Sequence, residues 1–234
     1  MVIDDKFALL SNGELNVTGR LVDASNATLY AKVRHEDQSM LCIYKPIAGE
    51  RPLWDFPDGA LAYREYAAYL LSSTLGFNIV PITILRDGPY GFGMVQEWID
   101  IDESVDLASF FSSNNPALRS MALFDAIINN TDRKIGHLLP TTTGDLFGCD
   151  HGVTFHSEDK LRTVLWQWSG DPLTKSEIEL LQRARHLISS ELDLSPYLSV
   201  TELLALSSRI DTLMSKGAMP VPNPDWPPVP WPAF

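Results

Sequence analysis

The sequence predicts an α+β protein in two halves, a β-rich half with one helix followed by a mainly helical half. Three observations carry this. Short β-type runs separated by turns fill the first hundred positions, one alanine- and leucine-rich segment interrupts them, and the later apolar residues recur at helical spacing. At 234 residues, 45% of them hydrophobic, the chain is long enough to bury a sizeable core.

The β-type runs lie at Leu15–Leu21, Thr28–Val33, Met40–Lys45, Ile82–Arg86 and Phe92–Ile99, in the order three strands, helix, two strands, and read as an antiparallel sheet. The helix covers 58–75, with Asp58 as N-cap and Gly76 as terminator. These elements define an N-terminal lobe over 1–99. A polar loop around Ser112–Pro116 leads into ALRSMALFDAIINN, which is apolar nearly all round and predicts a buried helix. Two further helices open on capping boxes, Thr174 with Glu177 and Ser199 with Glu202, the second closed by Gly217. They complete a C-terminal lobe over 100–219. The remaining segment, 220–234, holds seven prolines and two tryptophans and predicts an extended tail that a protein partner could bind.

Charge narrows the function classes. Thirty acidic against 18 basic residues give a net charge of -12, which disfavours nucleic acid and anionic membrane surfaces as partners. Cys42 and Cys149 lie in apolar, strand-like segments without ligand spacing and read as buried free thiols of a reducing cytoplasm. The acidic N-terminus MVIDDKFALL lacks signal-peptide features, and no apolar run reaches the ~18 residues of a membrane span, so a cytoplasmic location is expected.

Four positions carry candidate chemistry. Lys45 ends a strand in LCIYKP, where apolar neighbours would hold its ammonium in a cleft; alternatively it reaches water from the strand end. Glu65 lies mid-helix on a face of small residues, where a buried carboxylate needs a partner such as Lys45, the alternative being a local pair with Arg64. Asp132 follows the buried helix in INNTDRKIGH, placed to orient a hydroxyl proton, and His137 five residues on could turn back to hold a metal. Asp150 is delivered by the apolar run LFGCD to a glycine-containing turn, within reach of a metal between phosphates; the turn TTTGD links the two segments as a hairpin. His151 and His156 have no zinc spacing with His137 and Cys149. Trp166 and Trp168 read as core, and Asp125 as a hydrogen-bonded structural carboxylate.

Taken in order, YKP with GERP, YREYAAYLL, NNTDRKIGH and CDHG resemble the motifs of the phosphatidylinositol 3- and 4-kinase branch of the protein-kinase-like fold, over roughly residues 15–170. The steps of twenty residues from Lys45 to Glu65 and eighteen from Asp132 to Asp150 are close to kinase spacing. The resemblance implies a two-lobed kinase-like fold that binds ATP with Mg²⁺ or Mn²⁺. It implies that Lys45 contacts phosphates, Glu65 orients Lys45, Asp132 is the catalytic aspartate and Asp150 holds the metal. Ser25 and Asn26 would lie over the phosphates, and Glu97 and Trp98 would meet adenine through their backbone. The implied activity is phosphoryl transfer to a hydroxyl of a protein, a small molecule or an inositol headgroup. A pseudokinase that binds nucleotide without turnover and an AMP transferase are the alternatives.

Departures from the pattern are equally specific. His137 stands where the family has asparagine, which favours Mn²⁺ and makes metal binding depend on pH near an ordinary histidine pKa of about 6.5. VDASNAT has no glycines, and the acidic balance points away from a membrane lipid as acceptor.

Overall fold

A computed structural model describes residues 3–21 and 26–234 of the chain. Helix α1 (Ile3–Asn12) is followed by β1 (Glu14–Arg20), β2 (Leu29–His35) and β3 (Gln38–Pro46), then α2 (Leu61–Leu75), β4 (Thr83–Gly88) and β5 (Gly91–Glu97). The second half contains α3 (Leu107–Phe110), α4 (Pro116–Ile128), the hairpin β6 (Leu138–Pro140) and β7 (Leu146–Gly148), α5 (Lys175–Ser190) and α6 (Val200–Lys216). The strands form a five-stranded antiparallel sheet in the order β1-β2-β3-β5-β4, so the fold is the expected α+β arrangement of sheet plus helix followed by a helical lobe.

The pleat decides which residues reach the cleft. Cys42 and Tyr44 of β3 point to the covered face, where they pack with Leu9 and Leu10 of α1, Val33, Ile84 and Val95. Their neighbours Ile43 and Lys45 therefore point the other way, as successive residues of a strand must. Helix α1 was not legible as an element, although Asp4 and Asp5 in its first turn favour a helix N-terminus.

Helix α2 starts later than the sequence predicts. Gly59, at φ +73°, turns the chain between Asp58 and the helix, so Asp58 is not the cap. Glu50 takes that role from outside the helix. Its two carboxylate oxygens accept the Leu61 and Ala62 amides at 3.1 and 2.9 Å. Gly76 closes the helix at φ +77°, as expected.

Helix α4 is the centre of the second lobe. Asn115 caps it, Pro116 opens it, and Leu118, Met121, Phe124, Ile127 and Ile128 are buried together with Leu71 and Leu75 of α2 and Leu206, Ile210 and Leu213 of α6. Both expected capping boxes form, and Gly217 ends α6 at φ +60°. Among the described residues no helix is long and apolar enough to cross a membrane.

The tail has no helix or strand, as its prolines require, yet it is not loose. The Pro228 carbonyl accepts from the Thr163 amide at 3.0 Å and from Trp166 Nε1 at 2.8 Å, and the Ala233 carbonyl accepts from the Ile135 amide at 2.9 Å.

Because Glu50 satisfies two helix N-terminal amides, Glu50→Ala is expected to cost about 1 kcal/mol, or about 2–4 °C of melting temperature, whereas Asp58→Ala is expected to leave it unchanged. Thermal melts of the two variants compare the caps directly.

Candidate functional site

The cleft between sheet and helical lobe is built around one ammonium group. Lys45 Nζ lies 2.6 Å from Glu65 Oε1 and 2.8 Å from Asp150 Oδ1, which joins β3, α2 and the segment after β7 in a single contact. Glu65 is 1% exposed, and its second oxygen accepts the His151 amide at 2.9 Å. Of the two alternatives for Glu65, the structure has the long-range pair. Arg64 turns instead to Glu202 of α6 and donates to the Thr154 carbonyl at 3.1 Å.

Backbone geometry holds the ammonium in place. Gly93 of β5 faces Pro46, and a Cβ there would lie 2.3 Å from the Lys45 carbonyl oxygen, so only glycine lets the strands approach at this point. Asp150 takes a left-handed conformation, φ +60°, uncommon outside glycine and tolerated by aspartate. It turns the carboxylate into the cleft, where the side chain is 44% exposed.

Asp132 stands on a loop braced from both sides. Its amide donates to Asn130 Oδ1 at 3.0 Å, and Asn130 Nδ2 donates to Asp125 Oδ1 at 2.9 Å. Arg133, fully buried, makes a two-pronged contact with Asp125 through Nε at 3.0 Å and a terminal nitrogen at 2.9 Å. Its other terminal nitrogen donates to the Cys149 carbonyl at 2.9 Å, so the same guanidinium fixes the Asp132 loop to the strand that carries Asp150. Asp125 is thus the structural carboxylate expected, while the role of Arg133 in tying the two loops was missed. Lys134 was also passed over; its Nζ lies 3.5 Å from Asp132 Oδ2 and faces the cleft.

The cleft divides at Lys45, Asp132, Lys134 and Asp150 into an inner chamber of about 400 Å³ and an outer one of about 420 Å³. The inner chamber runs under the sheet past Ile43 and Gln96 to Trp98, Ile99 and Ile101. The outer one opens toward Arg51, Trp54, Arg162 and Trp226. Its carboxylates are nearly all engaged: Glu50 on α2, Glu65 and Asp150 on Lys45, and Asp55 on Lys160 at 3.2 Å.

The other expected contacts are distributed unevenly. Asn26 lines both chambers, but its side-chain oxygen accepts the Arg51 amide at 2.9 Å, which leaves its Nδ2 as the free donor. Ser25 lies outside the described residues. Glu97 and Trp98 line the inner chamber, yet both amides are used within the sheet, by the Ile82 and Leu41 carbonyls at 2.8 and 3.1 Å, and the Glu97 carboxylate pairs with Lys6. Both residues fall inside the expected run Phe92–Ile99, and their amides are spent on its pairing. Ile99 is the first residue beyond that pairing, and among the described residues its amide has no partner.

Electrostatics separate these groups. Burial alone would lower the Lys45 pKa, but Asp150 and Glu65 outweigh it and raise it above the ordinary lysine value. Lys45 in turn holds the Asp150 carboxyl well below the usual range, against the effect of burial. Burial pushes the Asp132 carboxyl up, opposed by Lys134, so it is a better base than a free aspartate. Burial also pushes the His137 imidazole down to about 4, with Arg133, Lys134 and Lys45 adding to it and Asp150 opposing. The expectation of a titration near 6.5 is therefore corrected: His137 is neutral throughout the physiological range. Its Nδ1 faces the Lys134 amide at 3.4 Å and its Nε2 faces Asp150 Oδ2 at 3.7 Å. Ligation through Nε2 requires the ring proton to sit on Nδ1 and that amide contact to be given up.

Two carboxylates against one ammonium leave Lys45, Glu65 and Asp150 with a surplus negative charge beside the cleft. Among the described residues no group of three or more His, Cys, Asp or Glu side chains is arranged to hold a metal. Asp150 with His137 is a two-donor set, which fits a divalent cation whose other ligands are phosphate oxygens and water.

A sequence comparison decides the family. Protein Rv2133c of Mycobacterium tuberculosis is 41% identical to this chain, in an alignment that takes in 99% of this chain and 96% of that protein. The chain belongs to the family of Protein Rv2133c. No model of a known protein family matches this member of it. Among solved structures, the Golgi casein kinase superposes with a TM-score of 0.57 at 16% identity over 94% of this chain and 79% of that one. A form of it with Mn/ADP bound gives 0.56 at 15% identity over 92% and 75% of the two chains. The Helicobacter pylori proinflammatory kinase CtkA gives 0.50 at 14% identity over 88% and 94%. These likenesses show that this chain has a two-lobed protein-kinase-like fold.

The sign of the Lys45–Asp150 coupling can be measured. An acid with a depressed folded-state pKa contributes stability that is present above its unfolded value and is lost as pH falls through the folded one. Replacing Lys45 with methionine removes the cause of the depression and leaves burial, which acts upward, so Asp150 should titrate at distinctly higher pH than in wild type and the stability its depressed pKa supplies should be lost. Carboxyl-carbon NMR of Asp150 in both proteins tests it; an unchanged titration means that Lys45 does not set the Asp150 charge state.

Proposed function

We propose that the protein is an ATP- and divalent-cation-dependent phosphotransferase acting on a hydroxyl group, of the kind that the resemblance to phosphatidylinositol 3- and 4-kinases implies. The observation that carries this reading is the Lys45 ammonium held between Glu65 and Asp150 at the junction of two chambers. A lysine so anchored presents a fixed positive charge to phosphate oxygens without the entropy cost of ordering a free side chain.

In this reading the adenine lies in the inner chamber, where the Ile99 amide replaces the donors expected from Glu97 and Trp98, and Ile43 supplies an apolar wall. Asn26 Nδ2 and Lys45 meet the phosphates. Mg²⁺ or Mn²⁺, held by Asp150 and His137, would neutralise phosphate charge; the Mn/ADP-bound Golgi casein kinase supports that choice by fold analogy. Asp132 accepts the proton of the acceptor hydroxyl as its oxygen bonds to the γ-phosphorus. The bond from the γ-phosphorus to the β–γ bridging oxygen breaks, and ADP leaves with that electron pair. Lys134, beside Asp132, offsets the charge that gathers on the transferring group.

The test is transfer from γ-labelled and α-labelled ATP by wild type and Asp132→Asn. Label should move from the γ position alone. Asp132→Asn should lower the rate by about 10²–10⁴ while ATP affinity stays within about threefold. Label from the α position would indicate AMP transfer, and ATP binding without any transfer would indicate a nucleotide-binding module. A second prediction concerns pH. Because His137 is neutral down to about pH 4, Mn²⁺ affinity with ATP present should stay level between about pH 8 and 5.5 and fall below that, together with the carboxylates. Titration calorimetry at several pH values checks this, and a midpoint near 6.5 would contradict it.

A further inference from the structure

We infer that the acceptor is a small anionic hydroxyl compound, bound in the outer chamber, and that the C-terminal tail forms one wall of that site and closes it to polypeptides. This rests on the phosphotransferase reading and goes beyond it by assigning the acceptor class.

The first observation is what the tail occupies. Its Pro228 carbonyl takes the Thr163 amide and Trp166 Nε1, and its Ala233 carbonyl takes the Ile135 amide, three residues from Asp132. An extended polypeptide that added to this face through its backbone would compete with the tail for these donors. They are already satisfied from within the chain. What remains beside Asp132 is a partly open volume of about 420 Å³, within the size range of a small-molecule site.

The second observation is the chemistry of the walls. Trp226 from the tail faces Trp54 from the loop before α2 across Lys160, whose ammonium lies 5.2 and 4.7 Å from the two rings. The Arg162 guanidinium also stands 5.6 Å from the Trp226 ring. Lys160 is satisfied by Asp55 and Glu158, whereas Arg162 and Arg51, which line the chamber, make no salt bridge among the described residues; Arg162 Nε donates to the Thr131 carbonyl at 2.8 Å and its charge acts on Asp132. Two guanidinium groups that line one chamber without a salt bridge suit an anionic ligand there. The Trp54 ring, with the half-buried Trp226 across Lys160 from it, suits a flat or ring-shaped body. Trp54 is 85% exposed.

The test uses the full chain with γ-labelled ATP and Mn²⁺, offered glycerol 3-phosphate, glucose 6-phosphate and 3-phosphoglycerate as soluble acceptors. Phosphatidylglycerol vesicles and a serine/threonine peptide library are offered in parallel. ATP binding is measured separately by calorimetry. The expected result is labelling of a soluble compound, with its KM raised on the order of tenfold by Arg162→Ala or Trp226→Ala, kcat changed less than about threefold, and partial recovery in Arg162→Lys. Labelling of the vesicle headgroup alone, with the same arginine dependence, also supports the proposal and assigns its anion to a lipid. Labelling of peptides by the full chain overturns it. So does ATP binding with no labelling of any anionic acceptor, or an acceptor KM indifferent to both substitutions. If ATP itself does not bind, the phosphotransferase reading fails first and the acceptor assignment falls with it.

Discussion

The structure depends on keeping one ammonium charged in a place where water is scarce. Lys45 is only 18% exposed, and an isolated cation there would lose several kcal/mol of hydration, so its two carboxylates are a condition for its presence rather than an addition to it. Satisfying that condition fixes the relation of three separate elements. Strand β3 brings the lysine, α2 brings Glu65, and the turn after β7 brings Asp150; none of the three can shift far without leaving a buried charge unpaired. Truncating one member of such a group costs about 3–5 kcal/mol in proteins, mostly through the charge left behind.

Other buried cations repeat the device. Arg133 ties Asp125 of α4 to the Cys149 carbonyl, which sets the Asp132 loop at a fixed distance from Asp150. Arg64, adjacent to Glu65 on α2, reaches Glu202 of α6 and the Thr154 carbonyl, and so attaches the helix to the other lobe. The orientation of α2, and with it the Lys45–Glu65 contact, is therefore held from the C-terminal lobe as well as from the sheet. A site assembled from segments more than a hundred residues apart in sequence is made rigid by charge pairs that are too costly to separate.

How much of this could be read from the sequence follows from which interactions are local. The five strands, the helix stop at Gly76, both capping boxes and the buried α4 were legible because strand alternation, a left-handed glycine and a reciprocal cap each involve residues a few positions apart. Lys45, Glu65, Asp132 and Asp150, drawn together by the kinase resemblance and its spacing, line one cleft. What was missed is non-local. The cap of α2 comes from Glu50, eleven residues before Leu61, and Asp58 looked correct only because the turn at Gly59 is invisible to pattern. The partner of Arg64 is 138 residues away, and the tail docks through carbonyls that no composition reveals. His137 shows the same limit in electrostatic form: residue type suggested titration near neutrality, and burial among Arg133, Lys134 and Lys45 moves it to about 4.

The central claim is that Lys45 and Glu65 act as one unit in binding nucleotide. A double-mutant cycle on ATP affinity, with Lys45→Met, Glu65→Gln and the pair, measures it most directly. Glu65→Gln leaves the helix shape intact but removes the charge that orients the ammonium, so once Lys45 is absent the second substitution should matter little. The account predicts a coupling energy of about 1–3 kcal/mol, with the double variant close to Lys45→Met alone. Additive losses, with a coupling below about 0.5 kcal/mol, would mean that the two residues contribute independently, and that the pair is not what organises the site.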